Sequence, residues 1–188
     1  MEFFIKQKLF NVWQDKYTIK DINENDVFEV KTDVKALKRL TIYDMAGNPL
    51  LKLKKRYWRF FMPRWDILDA DGKLLYIVKR KFVPFVPRYK IISKIEPNSG
   101  EKYSITGSIW GFSFSILDKD KKVVATISKK IVSWGDVYSI IVDEPNDVML
   151  SIGSTLIFDL IHHKNRSSLN NNLKTGTSMV GDVFKLFK

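Results

Sequence analysis

The sequence predicts a mainly β protein in which about twelve antiparallel strands form a closed barrel around one apolar α-helix. Three observations predict this fold: a β-hairpin pattern that recurs along the chain, alternation of large apolar residues within it, and one apolar segment after the last predicted strand. The chain has 188 residues, of which 45% are hydrophobic and 13% aromatic. This length and composition are typical of a single domain with one core.

The recurring hairpin has an Asp at the end of its first strand, preceded by Ile and one further residue. An apolar residue follows each Asp after six and after nine positions, and turn-forming residues lie between the two strands. Apolar runs that flank such a turn are typical of β-hairpins. Because Asp at the start of a turn binds its own backbone, we expect structural roles for all four copies: Asp21, Asp44, Asp69 and Asp118.

Alternation within each hairpin indicates which face is buried. The residues two and four positions before each Asp are large and apolar, whereas those between them are mixed. One face of the sheet is therefore expected to be buried and the other largely exposed. A second match, between residues 8–19 and 129–140, relates the two ends of the chain. The strands are predicted near residues 2–9, 17–22, 26–32, 37–44, 50–56, 64–69, 74–81, 88–95, 101–107, 112–118, 122–129 and 136–143.

The apolar segment is predicted to be a helix at about 147–162, with Asn146 or Asp147 as its N-cap. It is apolar on nearly all sides, so it must be buried on all sides. A thin polar stripe has residues spaced by four: Ser151, Thr155 and Asp159. Twelve strands leave a lumen that must be filled, and a helix about 24 Å long suits that space. Its run of about 14 residues is shorter than the roughly 20 needed to cross a bilayer.

Two parts are distinguished along the chain. Residues 1–163 are predicted to form the barrel with its helix, and residues 164–188 a polar linker followed by a short amphipathic tail. The first residues contain Lys6 and Lys8, which interrupt the apolar run that a signal peptide requires. We therefore expect a soluble cytoplasmic protein with no transmembrane span.

Three features together resemble the tubby C-terminal-like superfamily, and within it the bacterial YxjI-type and plant LURP-one-related proteins. They are the opening Ile5-Lys6-Gln7-Lys8, the hairpin Ile42-Tyr43-Asp44-Met45-Ala46-Gly47-Asn48 and the late apolar helix. The resemblance covers about residues 2–163 and implies the same barrel around a central helix. It also implies a binding role, because tubby domains bind phosphoinositides and the related scramblases act at membranes. The chain lacks the Cys-rich segment of scramblases, so lipid scrambling is not expected.

Little in the sequence supports catalysis. The chain has no Cys, which excludes disulfides, thiolate metal sites and a cysteine nucleophile. His162 and His163 are adjacent at the helix end, so they point apart and suit neither a metal pair nor an oriented base. Asp159, in an apolar helix, is expected to belong to a structural hydrogen-bond network. Phosphate-binding glycine loops are absent. We predict a protein that is not an enzyme and needs no metal or cofactor.

The positive charge is concentrated in one part of the chain. The net charge is +11, and residues 52–90 contain twelve Lys or Arg against three Asp, a net charge of +9. Within this region, residues 54–65 and 79–90 are rich in cations and aromatics and occupy equivalent places in successive hairpins. They are therefore expected at the same rim of the barrel. An excess of positive charge indicates an anionic partner.

The candidate anion- or lipid-binding residues are Lys54, Lys55, Arg56, Arg59, Arg64, Lys79, Arg80, Lys81, Arg88 and Lys90. The candidates for insertion into a membrane are Trp58, Phe60 and Phe85. Strand alternation predicts that Lys54 and Lys79 point outward, whereas Lys55 and Arg80 ring the barrel mouth. Cations combined with aromatics suit the interface of an anionic membrane. The alternatives are that the aromatics cover the barrel mouth and that the cations form a solvated rim.

These observations predict a non-enzymatic binding module for anionic lipid headgroups or phosphorylated ligands, acting peripherally at the inner membrane surface. A protein-interaction scaffold is one alternative. A nucleic-acid-binding module is another, because basic patches with aromatics also stack single-stranded bases. We consider nucleic acid the weaker alternative, since no nucleic-acid motif is present and the charge is expected at strand ends and loops rather than on a sheet face.

Overall fold

The computed structural model describes residues 1–6, 16–32, 39–58, 62–81, 88–97, 99–108, 113–132 and 135–161. The backbone in these ranges forms twelve strands, and every neighbouring pair is antiparallel. They follow one another around a closed barrel, and pairing of the first strand with the last completes it. The predicted fold class is confirmed.

The strands are β1 (Glu2–Lys6), β2 (Lys16–Asp21), β3 (Asp26–Thr32), β4 (Arg39–Asp44), β5 (Pro49–Trp58), β6 (Met62–Asp69), β7 (Leu74–Lys81), β8 (Arg88–Ser93), β9 (Gly100–Ser108), β10 (Ser113–Leu117), β11 (Val123–Val132) and β12 (Gly135–Val142). A 3-10 turn at Pro145–Asp147 leads into the helix α1, which spans 148–161. Within the described ranges, no helix combines the length and apolar character that crossing a bilayer requires.

The four Asp-containing hairpins share one turn geometry. In each, the Asp Oδ1 atom accepts a hydrogen bond of 2.8–2.9 Å from the backbone N–H group four residues later. The strand register shifts by one residue just before each Asp. The third residue after the Asp has positive φ in all four copies: Glu24, Gly47, Gly72 and Lys121. The structural role predicted for these carboxylates is confirmed, since they satisfy the donors of their own turns.

The apolar helix fills the barrel. Residues 148 and 150–159 are all buried, and the Phe158 ring packs edge-on against the rings of Tyr89 (5.0 Å) and Phe114 (5.2 Å). At Gly153 the helix lies so close to the wall that an added Cβ atom would be 3.0 Å from the Leu51 side chain. The helix and the inner faces of the strands therefore form one continuous core.

Three polar residues of α1 have identified partners, whereas the buried Ser154 hydroxyl has none among the described residues. The Ser151 and Thr155 hydroxyls donate to helix carbonyls four residues earlier, at 2.7 and 2.8 Å. The Asp159 carboxylate accepts a hydrogen bond of 2.9 Å from the buried Tyr138 hydroxyl of β12, in agreement with the expected network. The Asp147 carboxylate, just before α1, accepts a hydrogen bond of 2.9 Å from the Tyr103 hydroxyl of β9.

The direction of α1 distinguishes the two ends of the barrel. The helix starts after β12, at the end that carries the four Asp turns, which we call the turn end. It runs toward the other end, where β5 stops at Trp58, β7 stops at Lys81 and β8 starts at Arg88. We call this second end the basic end. Residues 162–188, with His162, His163 and the predicted tail, lie outside the described residues.

Replacing Leu156 with Ala should lower the free energy of unfolding by about 2–5 kcal/mol, because the side chain is 1% exposed and its removal leaves a cavity between helix and wall. Chemical denaturation measures this difference. Ile141, which is 45% exposed on β12, provides a control, since Ile141→Ala should cost less than about 1 kcal/mol. Equal losses at the two positions would contradict the enclosed helix.

Replacing Glu24 with Gly should stabilise the protein by about 1 kcal/mol or less. Glu24 has a φ of 64°, a left-handed conformation that disfavours side chains with a Cβ atom, whereas Gly adopts it readily. The reciprocal control is Gly47→Ala, which should destabilise through strain alone because nothing lies within 4 Å of the added Cβ atom. Thermal unfolding of both variants checks the signs, and shifts in the same direction would refute the shared turn geometry.

Stability should also depend on the ionisation of Asp159. Burial raises the pKa of Asp159 from 3.8 to about 7, although the Tyr138 hydrogen bond and the charge of Lys129 act to lower it. The folded protein thus binds this proton more tightly than the unfolded chain, and the resulting stability is lost as the pH rises through 7. Relative to Asp159→Asn, the wild-type free energy of unfolding should fall by on the order of 2 kcal/mol between pH 5 and 8. Parallel pH profiles for the two proteins would contradict this assignment.

Candidate anion-binding site

Four of the candidate cations form one row across neighbouring strands near the basic end. Arg56 of β5 lies opposite Arg64 of β6, Arg64 opposite Lys79 of β7, and Lys79 opposite Lys90 of β8. Adjacent strands lie 4.7–4.9 Å apart, so the row is about 14 Å long. We call these four residues the cationic row.

The cationic row lies on the outer face of the barrel. Its members alternate along their strands with buried core residues such as Trp65, Val78 and Ile91. Further cations continue the same face on both sides of the row. Lys81 lies opposite Arg88 toward the barrel mouth, and Arg39 lies opposite Lys54 toward the turn end. Hairpin pairing thus brings together cations that are up to 51 positions apart in the chain.

Two carboxylates share this face with the cations. Asp66 is 2% exposed and contacts two members of the row, Arg56 Nε at 3.0 Å from Oδ2 and Arg64 Nε at 3.1 Å from Oδ1. Glu101 on β9 forms ion pairs with Lys81 (2.6 Å) and Lys90. Hydrogen bonds from Lys81 and then Lys90 lower the pKa of Glu101, so this carboxylate is ionised well below neutral pH.

The cations on this face outnumber the carboxylates. Arg39, Lys54, Arg56, Arg64, Lys79, Lys81, Arg88 and Lys90 are opposed by Asp66 and Glu101, which leaves an excess of six positive charges. In the part of the chain that the structure describes, Lys54, Lys79 and Arg88 have no carboxylate within ion-pair distance. This face is therefore suited to hold an anion.

Two more candidate cations, Lys55 and Arg80, occupy strand positions that face the barrel interior, and they lie at its mouth. The Lys55 Nζ atom is 5.8 Å from the centroid of the buried Trp65 ring. Arg80 is exposed and lies opposite Tyr89, whose pKa is raised by burial and partly lowered by the Arg80 charge. Trp65 and Tyr89 themselves belong to the core, so these two aromatics have a structural role at the mouth.

The remaining predicted residues are not all described. Arg59, Phe60 and Phe85 lie outside the described ranges, as does the side chain of Trp58, whose backbone ends β5. The predicted location of the charge needs one correction. It was expected at strand ends and loops, but β5 extends through Arg56 and β7 through Lys81, so most of the described cations lie on a sheet face.

Sequence reasoning did not single out three residues of this face. Arg39 follows from the register of the hairpin that contains Asp44, so counting from that turn would have placed it opposite Lys54. Asp66 was counted only as a charge, and Glu101 lies outside the basic region 52–90. No pattern in the sequence indicates that Asp66 is buried under two arginines, because this depends on the side chains of two strands at once.

The hydrogen-bond donors of this face suit oxyanions. Among the described residues, no group of three or more His, Cys, Asp and Glu side chains is placed to hold a metal ion. Guanidinium and ammonium groups are donors of charge-assisted hydrogen bonds, which are strongest toward carboxylate and phosphate oxygens.

Comparisons with known proteins agree with this fold. The X-ray structure of a protein from Arabidopsis thaliana superposes with a TM-score of 0.59 at 18% identity, covering 88% of this chain and 90% of that one. At that identity the likeness shows the fold alone. The uncharacterized protein YxjI of Bacillus subtilis (strain 168) is 28% identical over 162 residues, which cover 86% of this chain and 93% of YxjI. The family model described as LURP-one-related matches residues 1–159, and the chain therefore belongs to the LURP-one-related family.

Proposed function

We propose that the protein is a non-enzymatic binding module for anionic lipid headgroups or phosphorylated ligands. It acts from the cytoplasm, peripherally at the inner membrane surface, through the cationic row and its flanking cations. The observation that carries this proposal is the excess of six positive charges on one outer face of the barrel.

The cationic row has no evident structural benefit. Like charges directly opposite each other in a sheet are destabilising, and the row contains three such pairs in succession. Departures from local stability rules are expected at functional sites, where binding offsets them. An anion that lies against the row would reduce this repulsion. Stabilisation of the fold by the ligand is therefore part of the proposal.

The magnitude of the attraction is sufficient for membrane association. Each basic residue near an anionic bilayer contributes about 1 kcal/mol. Neighbouring members of the cationic row lie on adjacent strands about 4.8 Å apart, which is less than the Debye length of about 8 Å at physiological salt, so they act together on one surface. We include Trp58, Phe60 and Phe85 in the proposal as residues that insert into the membrane, together with Arg59 as a further cation.

Nucleic acid is the weaker ligand, although the charge does lie on a sheet face. Binding of single strands needs exposed aromatic rings on which bases stack. In the described part of β7 and β8, the apolar residues beside the row are the aliphatic Ile77 and Ile92, which lie opposite each other. A protein partner that carries an acidic surface is the other alternative, and the same variants test it.

Charge reversal at Lys79 and Arg88 should reduce the affinity for anionic liposomes, measured by sedimentation, by roughly 1,000-fold, since four units of charge change at about 1 kcal/mol each. These two residues are chosen because they have no carboxylate partner in the described structure, so Lys79→Glu and Arg88→Glu break no ion pair. Binding should also weaken as salt is raised.

The matched control is the pair Lys119→Glu and Lys122→Glu, which makes the same change in net charge at the exposed turn end. It should reduce binding far less. Neutral liposomes and a single-stranded oligonucleotide complete the measurement. Equal binding of anionic liposomes by wild type and the Lys79–Arg88 variant would show that the row is only a solvated surface. Stronger binding of the oligonucleotide than of the liposomes would favour nucleic acid as the ligand.

A further inference from the structure

We propose that Arg56, Arg64 and Asp66 form a site that selects phosphomonoester dianions over other anions. We call these three residues the phosphate clamp. The inference rests on the proposed function and deepens it, because it names the chemical class of ligand and assigns a role to a carboxylate within a basic face.

The geometry places one carboxylate beneath two guanidinium groups. Asp66 is 2% exposed, whereas the side chains of Arg56 and Arg64 are 51% and 39% exposed. The two arginines lie directly opposite each other on β5 and β6, and their Nε atoms contact the two oxygens of the same carboxylate. The guanidinium groups are therefore held side by side, with Asp66 on the protein side and solvent on the other.

Most of the donors of this pair remain available. Asp66 accepts one hydrogen bond from Arg56 Nε at 3.0 Å and one from Arg64 Nη2 at 3.4 Å. The contact of Arg64 Nε is an ion pair whose N–H direction misses the oxygen. An arginine has five N–H donors, and the unbonded Nε atom of Arg64 is itself buried, so four donors remain on Arg56 and three on Arg64. Two adjacent planar forks match the oxygens of a phosphate group, which a lysine pair does not.

The charge of the site fits a dianion. A phosphomonoester carries a charge of about −1.5 to −2 at pH 7 and offers three oxygens, whereas a phosphodiester carries a single charge and offers two. The phosphate clamp has a net charge of +1, and Lys79, opposite Arg64 and without a carboxylate partner in the described structure, brings the total to +2. This total matches a phosphomonoester.

The change in binding when Asp66 is replaced distinguishes the phosphate clamp from attraction by total charge. If the face attracts anions only by its total charge, removing the negative charge of Asp66 should strengthen binding. If Asp66 orients the two guanidinium groups, its removal should weaken binding although the net charge becomes more positive. Asp66 is thus a positioning residue in the phosphate clamp.

The test compares Asp66→Asn with Glu101→Gln. Both variants add one positive charge to the same outer face, but Glu101 pairs with Lys81 and Lys90 and does not contact the phosphate clamp. The probes are vesicles that contain phosphatidic acid, a phosphomonoester, or phosphatidylglycerol, a phosphodiester, at equal surface charge. Soluble glycerol 3-phosphate is titrated separately by calorimetry.

Wild type should bind phosphatidic acid vesicles roughly tenfold more tightly than phosphatidylglycerol vesicles. Asp66→Asn should lose this preference, whereas Glu101→Gln should keep it. Stronger binding of both vesicles by both variants would overturn the phosphate clamp and leave the proposed function intact. Binding of glycerol 3-phosphate that depends on Asp66, without binding to either vesicle, would support the phosphate clamp and reject a membrane ligand. Absence of binding to all three probes would overturn both proposals.

A second variant leaves the buried Asp66 in place, so its result does not depend on whether Asp66→Asn folds. Arg56→Lys with Arg64→Lys keeps the charge and removes the planar forks. It should bind phosphatidylglycerol vesicles as wild type does and lose the preference for phosphatidic acid. A retained preference would overturn the phosphate clamp. Thermal unfolding of each variant confirms that the barrel is intact.

Discussion

The structure depends on the burial of α1 inside the barrel. Twelve strands enclose more space than their own side chains fill, and water in that space would leave the inner apolar faces solvated. The helix replaces the water with side chains that touch several strands, as the Phe158 contacts with Tyr89 and Phe114 illustrate. Each part requires the other, because a helix that is apolar on all sides has no other place to be buried.

Closure around the helix also fixes the register of the strands. A slip by one residue would turn every inner side chain outward, so the core permits only one register. The Asp turns reinforce it at the turn end through carboxylates that satisfy the same backbone donors in four hairpins. The arrangement of the outer face therefore follows from interactions at the inner face and the turns. The cationic row exists because the core holds β5–β8 in this alignment.

On the outer face that carries the cationic row, repulsion between cations is destabilising, whereas ion pairs with carboxylates hold some of the side chains in place. Its opposed cations repel one another, but the buried Asp66 and the more exposed Glu101 compensate some of them and hold their side chains in place. A buried carboxylate between two arginines stabilises a fold little by itself, since desolvation offsets much of the attraction. Its main effect is on orientation. A rigid barrel wall is a suitable support for such a site, because sites on strands are held more precisely than sites on loops.

The sequence by itself determined the hairpins, the inner face, the enclosed helix and the end of the barrel at which the basic segments meet. These features follow from local rules: turn residues such as Asp44, the two-residue period of strands, and an apolar surface too extensive for any exposed helix. It also determined that Lys55 and Arg80 occupy strand positions that face the barrel interior. Only the tertiary structure decided that Arg56, Arg64, Lys79 and Lys90 form a row, that Asp66 lies beneath two arginines and that Tyr138 binds Asp159. These contacts join side chains from different strands and the helix, so they depend on cross-strand register and barrel closure, which no local pattern specifies.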